Sequence, residues 1–508
     1  MPEVPQRPVD AGLGLDVHPV DPQVGRILVL GQRPVGVAGD GDGCHDGSAP
    51  SLQVSPYPAA RLIGTRLSTE SIQYRDGCML HAHFSGGGGA VEGLEAAGMA
   101  NSLSEVYAFG GTPFNSRTAP LNKWRRWVSW DQFHLVDVFS TIEAEVGAIR
   151  NRAAIIEMSP LSQHLISGRD AARLVDRIIT RQVDTMADRQ VYYSPWCDHD
   201  GMMIGDGIVV RLEENRFIMT ADPMMTWLAQ CSADLDVEIE NTQGANGLLA
   251  LQGPRSRSVL ERLTGQDWSH LKFSRGTETQ VAGTDVWVWR QGFTGELGYE
   301  FWVPAKSAPA LWDAVMEAGE PDGLLPAGHF AEDVARIEAG LLIVVADYLG
   351  AGPDRSAHPT AEQEEAFVTP YELGLGHFVD FEKPAFIGRE ALLKAKDAPA
   401  TRRLAGVLVN WRDIVEVYLD IGRPPVILPR VHRDPQVPIY QGEERVGHAT
   451  SVTWSPTVEQ AIGFAHIHPS AADPGTGVTL GWDVMGEEHA VGGTIVELPF
   501  LPMRRAAG

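Results

Sequence analysis

The run TDVWVWRQGFTGELGYEFWVP, residues 284–304, constrains the fold more than any other stretch. Val286 and Val288 alternate with Trp287 and Trp289, the period of two that puts successive side chains on opposite faces of a strand. A glycine-rich turn follows and runs into a second apolar strand, with Glu296 and Glu300 at its mouth. Carboxylates placed there either serve a hairpin turn or hold a nitrogen-rich ligand.

The surrounding chain alternates helical and strand patterns from Ser102 onward. In SGRDAARLVDRIITRQV, the residues Ala171, Leu174, Ile178 and Ile179 share one helical face, which predicts a helix packed on a sheet. GIVVRLEENRFIMTA, two apolar runs about a polar turn, predicts a hairpin. Asp222 with Pro223 suits the cap and first turn of a helix through MMTWLAQ. AEDVARIEAGL returns to helix, with Val334, Ile337 and Leu341 at core spacing. In NKWRRWVSWDQFHLVDVF, Trp124, Trp127, Trp130 and Phe133 recur every third residue, which in a helix makes one core-facing stripe; Arg117, Arg125 and Arg126 nearby suit a carboxylate partner. After GREALLKAKDAPATRR, short strands punctuated by Gly442, Gly447, Gly475, Gly477 and Gly481 predict a small all-β domain. The expected class is α/β (α+β): an extension at 1–98 too rich in Pro and Gly to build a core, a mixed domain at 99–400, and a small all-β domain at 401–508.

Composition excludes several functions. A formal net charge of −25 opposes nucleic acid and anionic lipid alike. Apolar runs such as LLIVVA at 341–346 are too short to cross a bilayer, and Cys44, Cys78, Cys197 and Cys231 lack paired spacing; a cytoplasmic protein without disulfides is expected. Cys78, His81 and His83 in CMLHAH fall short of the four donors a zinc site needs, so no metal is expected.

Six segments then coincide in order and spacing: LALQGPRSRSVL (249–260), GFTGELGYEFWVP (292–304), PAGHFAEDVARIEAGL (326–341), TPYELGLGHFVDF (369–381), FIGREAL (386–392) and GHATSVTWSPTVEQAIGFAHI (447–467). Together they resemble the folate-binding aminomethyltransferase family, that of the glycine-cleavage T-protein, over roughly residues 100–500. The resemblance implies a folate-binding domain followed by a barrel, with tetrahydrofolate as cofactor. It assigns Glu300 to the pterin, whose adjacent amino group and ring N–H a carboxylate accepts as a bidentate pair. Tyr193, Phe293 and Asp206 are implied around the same cofactor, and Glu296 is left to turn chemistry.

The chain departs from the family where the T-protein carries two adjacent aspartates: here stand Gly205 and Asp206. Glu332 likewise replaces an arginine. In this form the sequence is similar to tetrahydrofolate-dependent O-demethylases, which implies a methyl or methylene group taken from an aromatic ether. Expelling an aryloxide calls for a proton donor, with Tyr193, His164, His329 and Glu332 as candidates. The blander alternatives are a surface pair between Glu332 and Arg336 and a satisfied core position for His164. An aminomethyltransferase of glycine-cleavage type and a non-catalytic folate-binding protein are the competing functions.

Overall fold

The computed structural model describes residues 111–353, 367–423 and 436–506. The extension expected at 1–98, with Cys78, His81 and His83, lies outside the described residues.

Two sheets build the first part. The first has five strands, in spatial order Gln190–Cys197, Met203–Glu213, Arg216–Ala221, Ser162–Ser167 and Glu238–Asn241, paired antiparallel throughout. The helix Ala171–Ile178 covers one face, burying Ala171, Leu174 and Ile178 against Trp196, Val209 and Phe217 as its 3.6-residue period requires. The second sheet has six strands, in order Gly276–Val281, Thr284–Trp289, Gly298–Pro304, Asn246–Gln252, Ala154–Glu157 and Leu325–Ala327. Helices Ser256–Thr264 and Ala308–Gly319 pack on one face through Val259, Leu260, Leu311 and Trp312. Its other face meets helices Ile142–Asn151 and His329–Glu338, and farther along the first sheet itself. The opening run is apolar on both sides for this reason: Val286 and Val288 join the helix-covered core, whereas Trp287 and Trp289 enter the layer between the sheets.

The turn between those strands explains its glycines. A Cβ on Gly292 would lie 2.0 Å from Gln252 Oε1, and one on Gly298 2.2 Å from Gln252 Nε2. The Gln252 amide occupies that space, donating to Gln291 O at 3.2 Å and accepting from Thr294 Oγ1 at 2.8 Å.

The C-terminal part is a closed six-stranded barrel, in order Arg403–Val409, Gln460–Ile467, Glu444–Ser455, Val437–Gln441, Gly477–Val484 and Glu487–Val496. Closure leaves no free strand edge, and the interior is filled by Val407, Ile439, Ala449, Leu480 and Val491.

Local expectations fail in three places. The aromatic stripe at 124–133 is no helix but a hairpin, Trp127–Trp130 against Phe133–Val136, turning at Asp131 with φ 51°. A two-residue turn between short strands reproduces the spacing of three, and the hairpin buries Phe133 while Trp124 and Trp127 remain 64% and 44% exposed. Asp222 does not cap the following helix: Met225–Cys231 begins after Met224, whose N–H donates to His164 Nε2 at 3.4 Å. The helix His329–Glu338 stops short of Leu341.

Candidate functional site

The two sheets meet face to face through Val191, Val210 and Ile218 of one and Leu248, Trp289 and Trp302 of the other. Alternation along each strand decides what else enters this layer. Asp206 stands two residues before Ile208, which packs on that cluster, and Glu300 two residues before Trp302. Alternation therefore turns both carboxylates, from opposing sheets, toward the layer between them, the candidate gap for a ligand.

Asp206 is held at both oxygens. Tyr193 Oη donates to Oδ2 at 2.8 Å, and the Tyr348 hydroxyl donates to Oδ1. Burial pushes the Asp206 carboxyl above its ordinary range; the two hydroxyls oppose that, and Asp347 adds to it. Burial and the facing Asp206 charge hold both phenols well above 10, so each keeps its proton to donate. Phe378 stacks edge-on against Tyr193 at 4.9 Å. Arg505, over the Phe273 ring at 5.4 Å, acts on Tyr193 in the opposite sense to Asp206. Burial, then Asp206 and Asp131, raise the Asp222 carboxyl to about 6.

Across the gap, burial raises Glu300 to about 7; the Trp302 indole opposes this and Glu332 reinforces it. Glu332 is buried and faces His329, Nδ1 to Oε2 at 3.3 Å. Burial alone would lower the His329 pKa, but Glu332 and Asp333 raise it overall. The imidazole also stacks on Trp130 at 5.4 Å. Glu332 thus forms no surface pair with Arg336, which is itself buried and donates to Asp333 at 2.8 Å and Asp347 at 2.5 Å.

Other candidates fall elsewhere. His164 is fully buried, with Nδ1 against Met219 O at 3.3 Å and Nε2 receiving the Met224 N–H, so its ring satisfies backbone groups of the core. Phe293 sits half-buried in the turn before Gly298–Pro304. Arg117 pairs bidentately with Asp313 at 2.7 and 2.8 Å, and Arg126 with Asp137 at 2.8 Å. Glu296 is more than a turn residue: it is buried and receives Arg150 Nη1 at 3.1 Å, while the same guanidinium bonds Glu338 at 2.7 Å.

Gly205 changes meaning most. A Cβ there would meet Trp196 Nε1 at 3.2 Å, and one on Gly207 meets the same indole, so both positions face the helix-covered side of the sheet. Asp206, between them, turns the other way into the gap. The cleft therefore carries its carboxylate, and a missing acid at 205 gives no ground for excluding an amine donor.

Tyr348 and Arg505 carry no signal in the sequence, and Asp222 is expected from it only as a helix cap. Tyr348 follows an apolar run and lies 142 residues from Asp206, and no spacing links them.

Comparison with known proteins agrees with this architecture. Residues 114–383 match the GCVT N-terminal domain, and residues 419–501 the glycine cleavage T-protein C-terminal barrel domain. The chain is 32% identical over 368 residues to an aminomethyltransferase of Halothermothrix orenii, covering 72% of this chain and 92% of that one. With an aminomethyltransferase of Streptomyces coelicolor it shares 31% over 364 residues, 70% and 87% of the two chains. The crystal structure of glycine cleavage system aminomethyltransferase T from Bartonella henselae shares the fold, with a TM-score of 0.63 at 21% identity over 78% of this chain and 99% of that one. By sequence over most of its described length, this chain belongs to the folate-binding aminomethyltransferase family, whose one-carbon carrier is tetrahydrofolate.

Proposed function

We propose that the protein transfers a one-carbon unit from an aminomethyl donor to tetrahydrofolate. The observation that carries this reading is Asp206, whose two oxygens both accept hydroxyl protons while it faces the gap between the sheets. Two hydroxyl donors favour the charged form of this carboxyl against the burial that opposes it, and a carboxylate here suits a cationic amine better than a developing aryloxide. Aromatic ether cleavage, expected from Gly205, therefore has less support than aminomethyl transfer.

The residues present fit the cofactor. Glu300 is a carboxyl that burial drives toward neutrality, and a pterin edge offers it two donors at once. Tetrahydrofolate supplies the nitrogens that accept the carbon. For its part the chain binds the pterin through Glu300, orients Asp206 through Tyr193 and Tyr348, and offers Asp206 to the positive charge of the donor amine.

The test compares donors. The protein is incubated with tetrahydrofolate and glycine together with the other components of a glycine cleavage system, and separately with methoxy- and methylenedioxy-aromatics, and the folates are analysed by mass. Methylene-tetrahydrofolate from the amine donor alone supports the reading. Product from an aromatic ether would overturn it, and no product from either would leave a folate-binding protein without transfer chemistry.

A further inference from the structure

Asp206 and Tyr193 belong to neighbouring strands of one sheet, but Tyr348 reaches the carboxylate from outside that sheet. It ends a tight turn in which Asp347 N donates to Ile343 O at 2.8 Å and Val345 N donates to Tyr348 O at 2.8 Å. Val345 has φ 73° and is 61% exposed. A β-branched residue in the left-handed region is strained and persists only where its surroundings over-determine the backbone.

The barrel provides that determination. Asp347 Oδ1 accepts from Ser451 Oγ at 2.5 Å and from Thr450 Oγ1 at 3.0 Å, both on the barrel strand Glu444–Ser455. Its Oδ2 accepts from Arg336 Nη1 at 2.5 Å and from Ile343 N at 2.9 Å, and Arg336 Nη2 donates in turn to Ser451 Oγ at 2.7 Å. Tyr348 belongs to one buried apolar cluster with Ile462 and Phe464 of the barrel strand Gln460–Ile467. Beyond it, Ala351 N donates to Met203 O at 2.8 Å, at the start of the strand that carries Asp206.

We propose that Tyr348 is a positioning residue for one-carbon transfer, pressed onto Asp206 by the C-terminal barrel through Asp347, so that the barrel sets the orientation of the cleft carboxylate. This extends the aminomethyl-transfer reading and depends on it. The charged and titratable groups facing Asp206 are Tyr193, Tyr348, Asp347 and Asp222, with Asp131 behind Asp222 and Arg505 acting on Tyr193. Of these, the two hydroxyls favour its charged form.

The experiment measures kcat and KM against pH for the full chain, with an aminomethyl donor and tetrahydrofolate, in the native protein and in Asp206→Asn, Tyr348→Phe and Ser451→Ala. Loss of one hydroxyl donor raises the Asp206 pKa, so Tyr348→Phe is expected to move the acid limb of the kcat profile upward by about one pH unit. Its kcat should fall about tenfold or more, with KM for tetrahydrofolate changed less than twofold, since the cofactor contact lies at Glu300. Ser451→Ala, outside the cleft, should shift the limb the same way by a smaller amount. A native enzyme inactive with this donor, or an active Asp206→Asn, overturns the functional reading itself. Native activity, an inactive Asp206→Asn and unshifted limbs in both other variants overturn the role of Tyr348 alone. Should Tyr348→Phe fail to fold, Ser451→Ala decides by the same readout.

Discussion

Glu300 and Trp302 stand two residues apart on one face of the strand Gly298–Pro304, so a carboxyl shares the gap between the sheets with a buried indole. That environment carries the Glu300 pKa from 4.5 to about 7. An acid whose folded pKa is raised contributes stability that is complete below its unfolded pKa and lost as pH rises through the folded one. Above pH 7 the free protein therefore bears a charge on a half-buried carboxyl. Glu300→Gln should stabilise the free protein at pH 8 by on the order of 1–3 kcal/mol while weakening tetrahydrofolate binding by a similar amount. Denaturant melts and calorimetry on one preparation check both, and a variant that binds as tightly as the native protein would place the pterin elsewhere.

His329 gives a second pH signature. Its folded pKa is raised despite burial because Glu332 faces it. The corresponding stability is present below about pH 6.5 and is lost as pH rises through the folded value. In Glu332→Gln the opposing charge is gone and burial dominates, so the imidazole should titrate below the ordinary histidine range. Proton NMR of the His329 ring against pH reads this directly.

Arg150 anchors a buried charge network. Its guanidinium serves Glu338, Glu296, Thr294 O and Ala335 O at 2.7 to 3.1 Å, and Glu338 also accepts from Ser455 of the barrel at 2.5 Å. Arg150→Ala leaves Glu338 buried without its cation and Glu296 with only the long pair to Arg504 at 3.9 Å, and should cost about 3–5 kcal/mol. Arg150→Lys should recover little, because a single ammonium cannot reproduce the planar fork. Chemical denaturation of the three proteins tests the ordering.

Gly205→Asp now carries a different expectation from the one its sequence suggests. The new side chain would press on the Trp196 indole and bury a carboxylate on the helix-covered face, at a cost of about 1–3 kcal/mol. Transfer activity per folded molecule should change far less than in Asp206→Asn. Equal losses in the two variants would mean that both positions serve the cleft.

Much of the architecture was legible because it follows from period alone. Ala171, Leu174 and Ile178 mark their helix, the two valines and two tryptophans at 286–289 mark a strand covered on both faces, and the glycine-punctuated C-terminal region marks an all-β domain, whose closure into a barrel only the family resemblance implies. The site was legible only as residue types. Which face of its strand Gly205 occupies depends on where helices cover the sheet. Whether Glu332 meets Arg336 or His329 depends on competing partners: Asp333 and Asp347 claim the arginine, and Asp347 comes from a distant turn. The hairpin at 127–136 was misjudged because a tight turn can imitate helical spacing.

The amide of Gln252, wedged where Gly292 and Gly298 would otherwise carry methyl groups, makes three positions a single genetic unit. Alanine at either glycine should displace the Gln252 amide and cost its hydrogen bonds to Gln291 O and Thr294 Oγ1, a loss that should shrink once Gln252 is shortened to alanine. In descendants of this chain the three should drift together or not at all, a dependence between substitutions that no one of them reveals alone.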